Sequence, residues 1–257
     1  MNAQIVRNSL WSAKHGLLIL KAARFAAAYK AGQICMLSVT DALSTDPFLR
    51  RPFTPYNVNI SENTVSIIYA IVGRGTLLLS KQPAGTVLSL SHPHGTPFTI
   101  TKNLKAALIA GGVGIGPMHS LAETLHKNGC DVTVFYGART GDELYPPLRE
   151  VPAPYEWVLC TEDGSIGRKG LVTDLFSEKI GCFDVCYTCG PKRMMQAVQT
   201  VCAGNNKPLE LSAEETMACG IGVCYGCMVK INTDGVTEMK RCCTEGPVFN
   251  GVSVIWD

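Results

Sequence analysis

The sequence predicts a multidomain α+β protein: an antiparallel β-barrel, then an α/β domain on a parallel sheet, then a small domain built around cysteines. Three observations carry this. Short strand-like runs separated by turn residues fill the first hundred positions, and apolar strands alternating with helical stretches fill the next hundred. Near the end, Cys219-Gly-Ile-Gly-Val-Cys224-Tyr-Gly-Cys227 is followed by Cys242 and Cys243. The expected borders are 1–100, 101–208 and 209–257.

The barrel is expected from strands at 14–24, 34–39, 56–60, 64–72, Leu77–Ser80 and Val87–Leu90, with turns such as Ala31-Gly32-Gln33 between them. Many short strands at this spacing argue for a small antiparallel barrel. Within it, Arg51-Pro52-Phe53-Thr54 alternates charge, ring and hydroxyl around a proline-fixed extended segment. Extended geometry puts Arg51 and Phe53 on one face, Pro52 and Thr54 on the other. Such a segment can offer charge and hydroxyl to a diphosphate and a ring to a flavin. Ile68-Tyr69-Ala70 and Gly73-Arg74-Gly75-Thr76 repeat the theme, since a tyrosine stacks or hydrogen-bonds and a glycine turn exposes N–H groups to phosphate.

The second domain begins with the apolar strand Lys105–Ala110, which runs into Gly111-Gly112-Val-Gly114-Ile-Gly116-Pro117. Met118, Leu121, Ala122 and Leu125 then share a helical face. Pro117 suits a first helical turn. Strand, glycine turn and helix present N–H groups and a helix N-terminus to a pyrophosphate, although the spacing differs from G-x-G-x-x-G. Further strands are expected at Asp131–Tyr136, Glu156–Thr161 and Phe183–Cys189, with helices at Leu171–Lys179 and Arg193–Cys202. This alternation implies a parallel doubly wound sheet, whose ligands collect at the carboxyl ends of its strands. That edge would carry Gly111–Gly116, Gly137–Thr140, Thr161–Asp163 and Cys189-Gly190-Pro191. Arg139, isolated after its strand, is expected to face solvent.

The third segment is the most specific. C-x4-C-x2-C with a distant fourth cysteine is the plant-type [2Fe–2S] spacing. Gly220, Gly222 and Gly226 between the ligands let backbone N–H groups turn toward the sulfurs. Structural zinc usually shows two short C-x2-C pairs instead. Cys242 and Cys243 compete for the fourth position; the turn at Gly246-Pro247 favours Cys243.

Composition excludes several classes. With 46% hydrophobic and 17% charged residues and a net charge of +2, the chain suits a folded protein without the basic surface that nucleic acid needs. Twelve cysteines without a signal-peptide pattern suggest a reducing cytoplasm. No apolar run has the length of a membrane span. His92 and His94 are expected in an exposed turn.

In this order, Arg-Pro-Phe-Thr, Gly-Gly-Val-Gly-Ile-Gly-Pro, Cys-Gly-Pro and a terminal plant-type cluster motif resemble the ferredoxin–NADP reductase superfamily. Within it, Glu215-Thr-Met-Ala-Cys219 through Cys227, with Cys243-Thr-Glu-Gly-Pro-Val-Phe249, is similar to the electron-transfer subunits of class 1B dihydroorotate dehydrogenases. The resemblance covers nearly the whole chain. It implies an FAD-binding barrel, an NAD-binding domain and a [2Fe–2S] domain. FAD would meet Arg51, Pro52, Phe53, Thr54, Ile68, Tyr69, Ala70, Gly75 and Thr76. NAD would meet Gly111, Gly112, Gly114, Gly116, Pro117, Cys189, Gly190 and Pro191. The cluster would take Cys219, Cys224, Cys227 and Cys243. Two departures stand out: Ala70 where an arginine is common, and Ser91-His-Pro-His-Gly95 in place of a glycine-rich turn.

The resemblance further implies an oxidoreductase subunit with no acid–base residue of its own. NADH passes hydride, a cluster takes single electrons, and a flavin does both. Electrons would come from an FMN-containing catalytic subunit that oxidises dihydroorotate, in a heterotetramer with two of each subunit, and leave on NAD⁺ during pyrimidine biosynthesis. The rivals are a reductase subunit serving ferredoxin or sulfide, and a non-enzymatic, zinc-stapled binding protein.

Overall fold

A computed structural model describes residues 1–41, 46–146 and 154–256. The chain opens with β1 (Asn2–Leu10), β2 (His15–Lys21), α1 (Ala23–Ala28), β3 (Cys35–Leu37), β4 (Arg51–Phe53), β5 (Asn57–Asn59), β6 (Thr64–Ala70), α2 (Arg74–Ser80) and β7 (Val87–Ser89). An antiparallel sheet in the order β5-β6-β2-β1-β7 curls around Leu18, Leu20, Phe25, Val65, Ile67 and Leu88. The β3–β4 pair joins it through a bridge between Leu37 and Leu90.

Two barrel expectations need correction. Leu77–Ser80 is not a strand but the end of helix α2. A short apolar run does not fix its own period, and here Gly75, Thr76 and Leu79 turn inward while Leu77 faces out, as a helix requires. Positions 22–24 likewise leave the strand and enter α1. Strand β1 gave no period-two signal along its whole length. Its pairing with β2 shifts register between Ile5 and Arg7, and such a bulge reverses which residues face inward.

The nucleotide-type domain holds β8 (Lys105–Gly111), α3 (Ile115–Lys127), β9 (Asp131–Ala138), β10 (Glu156–Thr161), β11 (Arg168–Lys169), α4 (Val172–Lys179), β12 (Val185–Cys189), α5 (Lys192–Gly204) and β13 (Leu209–Ser212). Strands β11-β10-β9-β8-β12-β13 are parallel throughout. Ala106–Ala110 is an unbroken apolar run because helices cover both faces of this strand. Helix α3 is buried along most of its length; His119 stacks on Tyr56 of the barrel at 4.1 Å between ring centroids and bonds its carbonyl at 3.2 Å.

The last segment adds β14 (Met228–Thr233), β15 (Val236–Arg241), β16 (Val248–Asn250) and β17 (Val254–Ile255). Strands β15-β14-β17 form a small antiparallel sheet. The large sheet runs past the expected border at residue 208: β13 pairs with β12, and β16 returns antiparallel beside β13. The cysteine-bearing stretch therefore leaves the sheet after Ser212 and rejoins it at Val248. No helix of the described residues is long and apolar enough to cross a membrane.

Candidate functional site

Two clefts open at the carboxyl edge of the parallel sheet, one on each side of the glycine turn. The turn is a short 3-10 stretch, Gly112–Gly114, leading into α3, with Pro117 in the helix's first turn. The positive end of α3 therefore faces the space between barrel and sheet.

The first cleft, about 460 Å³, is bordered by Arg51, Pro52, Phe53 and Thr54, by Ile68, Tyr69, Ala70, Val72 and Thr76, and by Val113, Pro117 and Cys189. Its far wall is Ala213, Glu214, Glu215, Thr216 and Met217, with Ile34 beside them. The expected two-faced alternation of Arg51–Thr54 gives way here. The strand ends at Phe53, so Thr54 leaves the pleat and all four residues border one cleft. Gly75 is absent from the lining but joins the two barrel segments. A Cβ on it would lie 2.5 Å from Arg51 Nε, so the arginine lies directly against this glycine. The Thr76 hydroxyl donates to the Gly73 carbonyl at 3.2 Å and accepts from the Val72 N–H at 3.0 Å, fixing the turn. The Tyr69 hydroxyl is already committed, donating to Asn8 Oδ1 at 2.9 Å inside the barrel.

The second cleft, about 490 Å³, runs from Gly111, Gly112, Pro191, Arg193 and Met194 to Gly137, Ala138, Arg139, Glu143 and Glu162, with Leu171–Thr173 below. Gly114, Gly116 and Gly190 do not line it; they let its walls meet. A Cβ on Gly114 would lie 2.3 Å from the Cys189 carbonyl oxygen, and one on Gly190 2.9 Å from Gly111 N. Gly116 sits against Thr54. Arg139 is largely exposed yet paired: its guanidinium reaches Glu143 Oε1 at 2.5 Å.

Cys189 closes the wall between strand β12 and the first cleft. Its Sγ is 3.9 Å from Glu214 Oε1. Burial drives the Cys189 pKa well up, and burial also raises that of Glu214. Sequence reading missed Ala213, Glu214 and Met217 as cleft residues; their only signal was their position immediately before the cysteine motif. Of the other cysteines in this strand region, Cys186 is buried and Cys182 exposed.

The cysteine motif folds into two thiol pairs. Cys219 meets Cys224, and Cys243 meets Cys227. Hydrogen bonds from backbone N–H groups, Ile221 first, lower the Cys219 pKa to about 6. Cys243 receives one from Gly222, while burial and Cys227 raise its pKa to about 11. Gly220 and Gly222 have φ of +68° and +82°, a region that an L side chain rarely adopts and that these turns require. Among the described residues, no three ligand-type side chains converge on one metal ion's position. The two pairs together offer the four thiolates of a two-iron unit. Cys242 points elsewhere, its thiol donating to the Ala213 carbonyl at 3.4 Å. The residues present thus fit a flavin beside the barrel, a dinucleotide over the glycine turn and a [2Fe–2S] cluster on the thiol pairs.

His92 is exposed as expected. His94 differs: it is part-buried, its backbone pairs with Ile34, its Nδ1 bonds the His92 carbonyl at 2.9 Å, and its Nε2 is buried without a hydrogen-bond partner among the described residues. The turn is folded back on the barrel, and this buries one edge of the ring.

A barrel, a parallel dinucleotide-type domain and a terminal cluster module define a flavin/iron–sulfur oxidoreductase subunit of the ferredoxin–NADP reductase fold. Residues 108–200 match the oxidoreductase NAD-binding domain, and 214–255 match the iron-sulfur cluster binding domain of dihydroorotate dehydrogenase B. The dihydroorotate dehydrogenase B (NAD(+)) electron transfer subunit of Desulforamulus reducens is 36% identical over 217 residues, 83% of each chain. That of Caldanaerobacter subterraneus subsp. tengcongensis is 38% identical over 210 residues, 81% of this chain and 82% of its own. A solved structure of NADH-dependent reduced ferredoxin-NADP oxidoreductase, described for flavin-based electron bifurcation, superposes with a TM-score of 0.87 at 26% identity, covering 99% of this chain and 90% of its own. The ferredoxin reductase of carbazole 1,9a-dioxygenase shares the fold at TM-score 0.70 and 19% identity, covering 83% of this chain and 68% of its own. The chain belongs to the family of dihydroorotate dehydrogenase B (NAD(+)) electron transfer subunits.

Proposed function

We propose that this chain carries electrons from an FMN-containing dihydroorotate dehydrogenase catalytic subunit, through a [2Fe–2S] cluster and FAD, to NAD⁺ in de novo pyrimidine (UMP) biosynthesis. The observation that carries the reading is the shared wall: Ala213–Met217 borders the cleft beside Arg51–Thr54 and leads directly into Cys219. A flavin there would lie between a nucleotide on the glycine turn and a cluster on the thiols. Bound there, a flavin would supply the exchange of hydride with NAD and of single electrons with the cluster.

This chain's residues bind and orient. Arg51, Pro52, Phe53, Thr54, Ile68, Tyr69, Ala70, Gly75 and Thr76 hold FAD. Gly111 and Gly112 take the NAD pyrophosphate, with Gly114, Gly116 and Pro117 shaping the turn behind them and Cys189-Gly190-Pro191 toward the nicotinamide. Cys219, Cys224, Cys227 and Cys243 ligate the cluster. Reduction of NAD⁺ consumes two electrons and one proton, and Cys189 Sγ with Glu214 Oε1 can hold a proton at the cleft wall. Residues 1–100, 101–208 and 209–257 supply the flavin, nucleotide and cluster regions, with β13 and β16 of the last segment extending the nucleotide sheet, and two copies assemble with two catalytic subunits.

The test is affinity capture of the tagged chain under anaerobic conditions from its own cells. The reading expects an FMN-bearing partner that bleaches the flavin and cluster bands when dihydroorotate is added, with NAD⁺ restoring them. Recovery of both cofactors without such a partner would refute it. The likeness to a reduced ferredoxin-NADP oxidoreductase supports a second reading, a ferredoxin-linked reductase subunit; bleaching by reduced ferredoxin and not by dihydroorotate would favour it.

A further inference from the structure

Cys242 lies next to the proposed fourth ligand and ligates nothing in the reading above, yet it is completely buried. Two of its groups reach opposite sides of one seam. Its N–H donates to the Cys227 carbonyl at 2.8 Å, and its thiol donates to the Ala213 carbonyl at 3.4 Å. Cys227 belongs to one thiol pair, whereas Ala213 lines the cleft assigned to the flavin. Ala213 is gripped a second time by the same loop, since its N–H donates to the Pro247 carbonyl at 2.8 Å. Ala213, Met217, Cys227, Cys242 and Cys243 pack into one buried cluster of side chains.

We propose that the Cys242 thiol is a positioning residue that couples the cluster to the flavin cleft, holding Cys227 and Cys243 at a fixed distance and contact path from Ala213. The proposal rests on the assignment of Cys243 as ligand. Each transfer removes one electron from the reduced cluster and adds one to the flavin; no bond is made at Cys242, and its thiol keeps its proton. Thiols are weak donors, so the contribution is to geometry and contact more than to stability. Groups in the outer shell of metal centres are typically worth 10- to 100-fold in metal affinity or activity.

The test uses the anaerobic holoenzyme with Cys242→Val, which fills the space without a donor, Cys242→Ala as a second donor-less variant, and Cys242→Ser, which restores one. Flash photoreduction followed at the flavin and cluster bands reads the rate of internal electron redistribution. Iron and labile sulfide content and the EPR signal of the reduced cluster are read alongside. The expectation is full iron content and an intact EPR signal in all three, with redistribution slowed about ten-fold in the Val and Ala variants and restored in the Ser variant. Wild-type rates in Val and Ala would overturn the coupling role. Loss of iron from Val and Ala, with iron retained in a Cys243→Ser protein, would overturn it differently, by showing Cys242 to be a ligand and the Cys243 assignment to be wrong.

Discussion

Gly114→Ala tests the wall between the two clefts. Gly114 has φ −61° and ψ −10°, so alanine meets no backbone strain there. The cost is steric: the new Cβ would lie 2.3 Å from the Cys189 carbonyl oxygen, 2.6 Å from its carbon and 2.8 Å from Gly190 Cα. All three are backbone atoms, and no rotamer relieves them. Overpacking of this kind costs about 1–3 kcal/mol, offset by roughly 0.4–1 kcal/mol from the less disordered unfolded chain. A net loss of about 1–2 kcal/mol lowers the thermal midpoint by roughly 2–8 °C for a unit of this size. Because the strand end must move, Cys189-Gly190 retreats from the turn and NADH binding weakens. Calorimetry and NADH titration of the flavin band read the two effects. Gly116→Ala is the control: its Cβ comes no closer than 3.4 Å to Thr54 O, and within α3 alanine is favoured over glycine by about 0.5–1 kcal/mol. A Gly114→Ala protein as stable as wild type, or a Gly116→Ala protein equally damaged, would refute the steric account.

Two further outcomes follow from ion pairing and burial. Glu143→Gln removes the carboxylate that occupies Arg139 at the rim of the nucleotide cleft, freeing the guanidinium for a 2′-phosphate. The NADPH-to-NADH ratio of kcat/KM should rise about ten-fold, the worth of one charge-assisted bond of roughly 1.5 kcal/mol, and an unchanged ratio would count against it. His119 has its pKa lowered below 6.5, chiefly by burial. Between that value and 6.5 the unfolded chain holds the extra proton, so stability is full above pH 6.5 and falls as pH drops through this window. Urea midpoints at about pH 5.5 and 7.5 should differ in wild type, and the difference should shrink in His119→Gln, leaving the part due to His15, whose pKa burial also lowers.

What the sequence made legible divides along physical lines. The parallel strands were readable because burial on both faces leaves an unbroken apolar run, as in Ala106–Ala110. The cysteine motif was readable because metal ligation constrains spacing within a few residues. Helix α2 was not, since Leu77–Ser80 is too short to reveal its period. Strand β1 was hidden by its bulge. The cleft wall at Ala213–Met217 was harder still: it meets Arg51–Thr54 only through folding, across more than 150 positions. The pairing of Arg139 with Glu143 lay within four residues and could have been read as an i,i+4 partnership.

Strands β13 and β16 lie side by side, about 4.8 Å apart by sheet geometry, and everything between Ala213 and Pro247 is an excursion from that ladder. The metal-bearing part is thus an insert with both feet planted on one rung, not a bead on a tether. The placing of that insert is then set by strand pairing and not by a linker. The same arrangement means that a graft exchanging only residues 218–246, which keeps the Ala213–Met217 cleft wall in place, could retune the one-electron end of the chain.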